Sequence, residues 1–334
     1  MKKTILSAAA VALLSLTPHS ASAEWPLTTE GTLLVMNKSD NTVTLVDLGS
    51  GETVATLPTG IEPHEGAASP DGRLVVISNT DYKDSGAHTL TVIDVPGRKV
   101  KATIPLGDYA NPHGIVFMPD GKRVIATVEG SQAVVLVDVS AGKVEKAIKT
   151  PGLPCHMVVP TPDGRKAFAT SISLGALVVL DLEKGEMTKT IATGKGAEGF
   201  DISPDGKEIW VGNRAEDTIT VVDAASLEIV GSIESKGFPI RLKFTISGEH
   251  ALVSNYHAGA VTVYDRATRK PIGSIAMEED AAPIGILVAP DGRHAFIANT
   301  RADKVTVINI EEMKVVAALE PGKTPDGMAL TLTR

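Results

Sequence analysis

Residues 198–223 read EGFDISPDGKEIWVGNRAEDTITVVD, and this stretch decides the fold. Apolar and polar side chains alternate along three short segments, which end at Ile202, Asn213 and Asp223. A period of two is typical of half-buried β-strands. Pro204-Asp205-Gly206 lies between the first two segments. Because Pro presets φ and Gly accepts a positive φ, a tight turn is predicted there.

The same unit recurs along the chain, and two markers count its copies. The turn glycine and the Asp or Asn that ends the third segment are 17 residues apart in five copies, 16 in the first and 22 in the second. The glycines are Gly31, Gly72, Gly121, Gly164, Gly206, Gly248 and Gly292, and the closing residues are Asp47, Asp94, Asp138, Asp181, Asp223, Asp265 and Asn309. Seven copies of this length predict an all-β protein, a seven-bladed β-propeller of four-stranded antiparallel blades.

The two ends of the chain complement each other within this repeat. The first copy starts at a second strand near Thr32, whereas residues 325–331 resemble a first strand and align with 112–118. We therefore expect the C-terminal strand to join the N-terminal blade and to close the ring. Closure would leave no exposed edge strand.

The N-terminal residues have the pattern of a secretion signal. Lys2 and Lys3 precede an apolar run over 5–16, which is too short to span a bilayer, and Ala21-Ser22-Ala23 is typical of a cleavage site. We predict a signal peptide over 1–23 with cleavage after Ala23, and a single propeller domain over 24–334. The protein is expected to be a periplasmic or secreted monomer.

Composition excludes several functions. The formal net charge is −8 at pH 7, which argues against sequence-independent binding of nucleic acid. No strongly basic amphipathic stretch suggests docking to a membrane, and no insertion into one is expected. Cys155 is the only cysteine. It excludes an internal disulfide and the Cys-x-x-Cys-His site of a covalent c-type haem.

The ends of the second strands carry a family resemblance. They read VISN, WVGN, LVSN and FIAN at 76–79, 210–213, 252–255 and 296–299. With the SPDG turn and the TITVVD-like strand that follows, these segments resemble the YVTN-type β-propeller repeat along the whole predicted domain. Similar repeats occur in lactonase-like and cytochrome d1-like propellers, in surface-layer proteins and in amine dehydrogenase subunits. The resemblance therefore implies the fold and no single activity.

Loop lengths distinguish the two faces of the predicted ring. The loops before the first strand and after the second strand of each blade share one face. The loop after Asn79 is longer than its counterparts, and the connections 94–112 and 265–283 span 18 residues where the others span 16. Insertions that collect on one face of a repeat protein are typical of its functional side.

The starts of the first strands lie nearest the axis on this face, and their residue types are unusual for a framework. In blade order the second position is His64, His113, Cys155, Glu198, Ile240, Ile284 and Asp326, and the third is Glu65, Gly114, His156, Gly199, Arg241, Gly285 and Gly327. A framework needs no titratable side chain there. We predict a His/Glu-lined mouth of the central channel that binds a small ligand or a metal ion.

Two chemistries suit this set of residues. His64, His113, His156 and Glu65 are candidate ligands of a divalent metal ion such as Zn or Cu, and Cys155 would favour copper if it points inward. Without a metal, His113 and Glu198 are candidates for acid–base catalysis, and Arg241 for stabilising developing negative charge. Other ligand-binding candidates on this face are Asn79, Asn213, Asn255, His257, Asn299 and Asp326. Inert polar lining of a wet channel is the alternative. On the opposite face, His250 and His294 are expected to be solvated.

Three classes of function stay open at this point. The first is an enzyme that acts on a small molecule by lactone hydrolysis or lyase-type elimination. The second is a binding protein that carries a metal or another cofactor for a periplasmic redox enzyme. The third is a non-catalytic module whose loop face binds a protein or a surface polymer. The expected partner is therefore a small molecule or another periplasmic protein, and the cofactor is left open beyond a possible divalent metal ion.

Overall fold

A computed structural model describes residues 25–82 and 88–332, which form seven four-stranded antiparallel sheets. The prediction of an all-β, seven-bladed propeller is confirmed. The predicted signal peptide lies outside the described residues. Within them the short 3₁₀ helix Glu129–Ser131 interrupts the strands, and no helix is long and apolar enough to cross a membrane.

Each blade runs from an inner strand next to the axis to an outer strand on the rim. Blade 1 contains β28 (Pro325–Thr331), β1 (Thr32–Asn37), β2 (Thr42–Asp47) and β3 (Thr53–Pro58); blade 2 contains β4 (Pro63–Ala68), β5 (Leu74–Asn79), β6 (Thr89–Asp94) and β7 (Lys99–Pro105). Blade 3 contains β8 (Pro112–Phe117), β9 (Arg123–Val128), β10 (Ala133–Asp138) and β11 (Lys143–Lys149); blade 4 contains β12 (Val158–Pro160), β13 (Lys166–Ser171), β14 (Ala176–Asp181) and β15 (Glu186–Ala192). Blade 5 contains β16 (Ala197–Ile202), β17 (Glu208–Asn213), β18 (Thr218–Asp223) and β19 (Ile229–Glu234); blade 6 contains β20 (Pro239–Phe244), β21 (His250–Asn255), β22 (Ala260–Asp265) and β23 (Lys270–Ala276). Blade 7 contains β24 (Pro283–Val288), β25 (His294–Asn299), β26 (Lys304–Asn309) and β27 (Lys314–Leu319).

The hydrophobic core lies between neighbouring blades. Trp210 of blade 5, for example, is fully buried in one apolar cluster with Leu242 and Phe244 of blade 6. The middle strands are buried along most of their length, whereas an outer strand such as β7 is mostly exposed. Because a single sheet of this kind cannot cover both of its faces, stacking around the ring is what stabilises each blade.

The C-terminal strand closes the ring as predicted. β28 pairs antiparallel with β1 from Thr32 opposite Thr331 to Asn37 opposite Pro325. Its Met328 packs in the cluster between blades 7 and 1. The neighbouring Ala329 packs in the cluster between blades 1 and 2. The last strand therefore contributes to two blade interfaces.

The turn chemistry read from the repeats is also confirmed. Asp47 Oδ1 accepts hydrogen bonds from the backbone N–H groups of Gly49 and Ser50, both at 3.0 Å, so the closing aspartate caps its turn. Six turn glycines have φ between 66° and 73°, the left-handed region that favours glycine: Gly72, Gly121, Gly164, Gly206, Gly248 and Gly292.

Inner strands of neighbouring blades approach each other closely at their starts. A Cβ atom on Gly114 would lie 2.7 Å from the carbonyl oxygen of His156, and one on Gly327 would lie 2.1 Å from that of His64. Glycine is therefore required at these third positions. Where the third position carries a side chain instead, that side chain belongs to the channel mouth described below.

Deletion of residues 323–334 tests the closure. The truncated protein loses β28, exposes the edge of β1 and uncovers two blade interfaces. Each large apolar side chain removed from burial costs about 1.5–3 kcal/mol, so we expect a much lower melting temperature or no cooperative transition by circular dichroism. Leu332→Ser is the control, because Leu332 is 63% exposed and lies beyond β28. A truncated protein that melts like the full chain would contradict ring closure by β28.

Candidate functional site

The start of each inner strand faces one opening of the ring. Inner strands of neighbouring blades contact one another around the axis. Six consecutive blades each contribute a buried titratable side chain at this opening, in the order Asp326, His64, His113, His156, Glu198 and Arg241. The structure therefore brings the predicted residues together at one mouth, although they are spread over most of the sequence.

Three imidazole rings lie side by side in this mouth, tilted by 53° and 35° from one ring to the next. The ring centroids of His64 and His113 are 4.8 Å apart, and those of His113 and His156 are 3.9 Å apart. His64 donates a hydrogen bond from Nδ1 to the carbonyl oxygen of Glu62 at 2.8 Å, and its Nε2 lies 4.0 Å from Asp326 Oδ2. The rings thus form a continuous row across blades 2, 3 and 4.

An ion network continues the row across the opening. Arg241 Nη1 donates to Glu198 Oε1 at 3.0 Å, and Arg241 Nη2 donates to Glu65 Oε1 at 2.9 Å. Glu65 comes from blade 2 and Arg241 from blade 6, three steps away around a ring of seven. The guanidinium of Arg241 therefore bridges opposite sides of the mouth.

His156 lies between two carboxylates. Its Nδ1 donates a hydrogen bond to Glu129 Oε1, and its Nε2 lies 3.4 Å from Glu198 Oε1. Glu198 also accepts a hydrogen bond from Arg214. Two flanking carboxylates favour the charged form of an imidazole. Burial lowers the pKa of His156, but the hydrogen bonds and charges of Glu129 and Glu198 outweigh it and raise that pKa above its ordinary value.

The surroundings of the other two rings, His113 and His64, favour the neutral form. Burial and then the charge of His156 hold the pKa of His113 well below its ordinary value. Burial also lowers the pKa of His64, although the nearby Asp326 carboxylate acts against it. The surroundings therefore favour the charged form of His156 and the neutral forms of His113 and His64.

The pKa values of the two glutamates beside Arg241, Glu198 and Glu65, are shifted in opposite directions. Burial alone would raise the pKa of Glu198, but His156, Arg241 and Arg214 outweigh it and lower that pKa to about 2. Burial raises the pKa of Glu65, and Arg241 offsets only part of this effect. Glu198 is thus a permanent anion at the centre of the network.

Two buried polar atoms in the mouth lack a protein partner. Among the described residues, neither His113 Nδ1 nor Asp326 Oδ1 accepts or donates a hydrogen bond. His156 Nε2 has the ion-pair distance to Glu198 but no hydrogen bond of good geometry. Leaving a buried polar atom unsatisfied costs about 1–3 kcal/mol. Such atoms therefore indicate where a ligand could be hydrogen-bonded.

The predicted metal ligands do not converge as a set. Within residues 25–82 and 88–332, no group of three or more His, Cys, Asp or Glu side chains is disposed to hold a metal ion. His156 is directed to Glu129 and Glu198, and Glu65 is directed to Arg241. A metal site of His64, His113, His156 and Glu65 stays a prediction.

The four asparagines predicted to bind a ligand have contacts inside their blades. Each is buried at the end of a second strand and donates from Nδ2 to a threonine hydroxyl on the third strand: Asn79 to Thr91 at 3.0 Å, Asn213 to Thr220 at 2.9 Å, Asn255 to Thr262 at 3.0 Å and Asn299 to Thr306 at 2.7 Å. These bonds tie the strand ends together, so the contacts present are framework contacts. A ligand-binding role for these amides stays a prediction.

Two other residues differ from the sequence reading. β12 begins only at Val158, so Cys155 precedes the strand; it is fully buried in the apolar cluster between blades 3 and 4 rather than in the mouth. Burial raises the pKa of its thiol to about 11. The expectation of a solvated His294 is wrong, because this residue is buried and its Nδ1 lies 2.7 Å from Asp291 Oδ2.

Several residues of the mouth were missed from the sequence. Lys38, Glu129 and Arg214 directly follow the second strands of blades 1, 3 and 5. Lys38 Nζ lies 3.8 Å from Asp326 Oδ2, and Tyr82 donates from its hydroxyl to Glu129 Oε2 at 3.1 Å. Charged residues at the same repeat position in alternate blades were the signal that could have found the first three.

The opposite end of the channel is chemically different. It opens into a cavity of about 690 Å³ lined by apolar side chains such as Ile115, Phe117, Leu287 and Met328. Among the described residues, the lining of this cavity contains no titratable side chain, in contrast to the mouth. That the loop face is the functional side stays a prediction.

Replacement of Glu198 by Gln tests the ion network. Removing one partner of a buried ion pair costs about 3–5 kcal/mol, and we expect that loss in the free energy of unfolding at pH 7. Because the pKa of Glu198 is about 2 in the folded protein and near 4.5 otherwise, its contribution is present above pH 4.5 and disappears as the pH falls towards 2. The difference between wild type and variant, measured by urea denaturation, should shrink over that interval.

The exposed Glu183→Gln is the matched control, because its carboxylate pairs only with the exposed Arg165. It should change stability by less than about 0.5 kcal/mol. A Glu198→Gln variant with the same small, pH-independent effect would show that the network does not hold Glu198 as an anion.

Comparisons with known proteins agree with the fold. A family model described as YNCE-like beta-propeller matches residues 120–281. No curated protein matches the chain in sequence. A solved structure titled hydrazine synthase, from Kuenenia stuttgartiensis, superposes with a TM-score of 0.73 at 19% identity, covering 88% of this chain and 99% of that one. A functionally unknown protein from Desulfotomaculum acetoxidans superposes with a TM-score of 0.76 at 13% identity, covering 90% of this chain and 98% of that one.

At these identities the solved structures are similar in fold alone. The resemblance to propeller repeats noted in the sequence is confirmed by the family match and by the seven sheets. The chain is a seven-bladed β-propeller, and its residues 120–281 match the YNCE-like beta-propeller family model.

Proposed function

We propose that the chain is an exported propeller that binds a small organic ligand in its histidine-lined mouth and exchanges protons with it. The observation that carries this proposal is the contact between the rings of His113 and His156, whose centroids are 3.9 Å apart and whose electrostatic surroundings are opposite. Neighbouring titratable groups whose pKa values are pushed apart are typical of an acid and a base that act together. Export rests on the signal pattern of residues 1–23.

Each histidine has a distinct role in this proposal. His113 is neutral, and a neutral imidazole has one acceptor nitrogen, so it serves as the base. His156 carries a proton that Glu129 and Glu198 stabilise, so it serves as the acid. His113 Nδ1 and Asp326 Oδ1 have no hydrogen-bond partner among the described residues, so these two atoms would form hydrogen bonds to the ligand.

Arg241 takes a positioning role rather than a direct one. Its Nη1 is bonded to Glu198 and to the carbonyl oxygen of Ile240 at 3.2 Å, and its Nη2 is bonded to Glu65. A guanidinium engaged in this way has little capacity left for an oxyanion. It instead holds Glu198, which in turn stabilises the proton on His156.

Hydrolysis of a lactone illustrates what the pair can do. Water adds to the carbonyl carbon while His113 accepts its proton. The ring C–O bond then breaks, and His156 donates its proton to the leaving oxygen, which yields a hydroxy acid. Lyase-type elimination needs the same two groups, a base for a carbon acid and an acid for the leaving group. The related solved structure titled hydrazine synthase adds only that this fold occurs in an enzyme.

A divalent metal ion is supported less well by the geometry. The neutral rings of His64 and His113 suit Zn or Cu. The other two predicted ligands are in ion pairs, so a metal would have to replace Arg241 at Glu65 and Glu129 at His156. An organic ligand needs no such rearrangement.

A minimal lactone tests the proposal. δ-Valerolactone is added to the purified protein, and acid release is followed by pH-stat titration. We expect saturable hydrolysis that falls by about 10²-fold or more in His113→Gln, since general base catalysis contributes at least that much. His250→Gln is the control, because His250 is half-buried at the opposite face, and it should retain full activity.

Two results would count against the proposal. One is wild-type protein that neither hydrolyses nor binds δ-valerolactone by calorimetry. The other is hydrolysis that His113→Gln leaves unchanged while circular dichroism shows a folded variant. Stoichiometric binding of Zn²⁺ that is lost in the combined His64→Ala, His113→Ala and His156→Ala variant would replace the organic ligand by a metal site.

A further inference from the structure

A second concave site lies on the loop face, away from the axis, between blades 6 and 7. Its cavity of about 360 Å³ is lined by Tyr256 and His257, which follow β21, by Arg301, which follows β25, and by the 276–282 connection. This volume is within the range of small-molecule sites. The connection belongs to the segment 265–283, which is two residues longer than most of its counterparts. The extra length therefore supplies one wall of this cavity.

Two aromatic rings form a second wall. The ring centroids of Tyr256 and His257 are 5.3 Å apart, with an interplanar angle of 67°. The guanidinium of Arg301 lies 5.4 Å from the Tyr256 ring centroid. Planar faces beside a cation are typical of sites for aromatic ligands.

Phe238 lies behind this wall rather than in it. Its ring centroid is 4.4 Å from that of His257, and the guanidinium of Arg214 lies 5.1 Å from the Phe238 ring centroid. Phe238 therefore supports His257 from the side away from the cavity.

The charges around the cavity are of both signs and are open to a ligand. Arg301, Glu279 and Asp280 are exposed, and among the described residues none of the three forms an ion pair. By contrast, the adjacent Glu278 is paired with Lys304 at 2.8 Å. A ligand with a carboxylate and an ammonium group could therefore be bound at both ends without breaking an existing pair.

We propose that this cavity binds a small aromatic zwitterion of the amino-acid type. The ligand's carboxylate pairs with Arg301, its ammonium group faces Glu279 and Asp280, and its ring packs on Tyr256 and His257. This site shares no residue with the acid–base pair of the mouth, so it is separate from the function proposed above.

Isothermal titration calorimetry with three probes tests the ligand class. L-Tryptophan has both charged groups, tryptamine lacks the carboxylate, and indole-3-propionate lacks the amine. We expect saturable binding of L-tryptophan, with each of the other probes weaker by roughly tenfold, the value of one charge-assisted hydrogen bond. Equal affinity for all three probes, or no saturable binding of L-tryptophan, would overturn the proposal.

Matched variants test the residues. Arg301→Gln should abolish the preference for L-tryptophan over tryptamine. Arg293→Gln is the control, because Arg293 is an exposed arginine of the same blade at the opposite face. Tyr256→Ala removes a ring of the cavity wall and should weaken binding of L-tryptophan by roughly fivefold or more, with circular dichroism to establish that the variant is folded.

Two further outcomes test the contact with Arg301 and the independence of this cavity from the mouth. An Arg301→Gln variant that behaves like Arg293→Gln would contradict the carboxylate contact. His113→Gln, which removes the proposed base of the mouth, should leave L-tryptophan binding intact. Loss of that binding in His113→Gln would show that the rim cavity is not an independent site.

Discussion

The guanidinium of Arg241 bonds two carboxylates that come from opposite sides of the ring, and the chemistry of the mouth depends on this bridge. The positive charge of Arg241 compensates the negative charge of Glu198. The Glu198 carboxylate can therefore stay ionised beside His156 although both residues are buried. A charged His156 in turn disfavours a second charge on His113, whose ring lies 3.9 Å away. Glu129 and Glu198 thus favour the proton on His156, Arg241 helps to keep Glu198 ionised, and the proposed acid and base follow from this network.

The propeller framework makes this arrangement possible at low cost. Inner strands approach so closely that Gly114 and Gly327 have no room for a side chain. The third positions that do carry one, Glu65, His156 and Arg241, all take part in the ion network. The third position of the inner strand therefore serves two purposes. It is glycine where neighbouring inner strands contact each other closely, and it is a charged residue or histidine where the side chain belongs to the mouth. Among the described residues, the apolar cavity at the other end of the channel is lined by no such charged residue.

The repeat markers predicted the blade number, the ring closure and the inner-strand residues of the mouth, because all three follow from strand periodicity. Side-chain pairing could not be predicted in this way. Glu129 and Arg214 directly follow second strands, but their spacing does not show that they are the partners of His156 and Glu198. Cys155 was placed in the mouth by the repeat, but the inner strand of blade 4 is short and begins later, which leaves the thiol in the core. The asparagines that end the second strands were predicted to bind a ligand, and this stays a prediction. The contacts that the structure gives their amides are to threonines of the same blade, a local pairing that the spacing alone does not reveal.

The most direct test of this account is a pH titration of the imidazoles by ¹⁵N NMR of histidine-labelled protein, with assignments from single His→Gln variants. Near pH 6.5, where an ordinary histidine is half protonated, His156 should be doubly protonated while His113 and His64 are neutral. Replacement of Arg241 by Gln should weaken this contrast, because Glu198 then loses its cross-ring partner. Three imidazoles that titrate together near pH 6.5 in the wild-type protein would contradict the central claim that the buried ion network assigns the proton to His156.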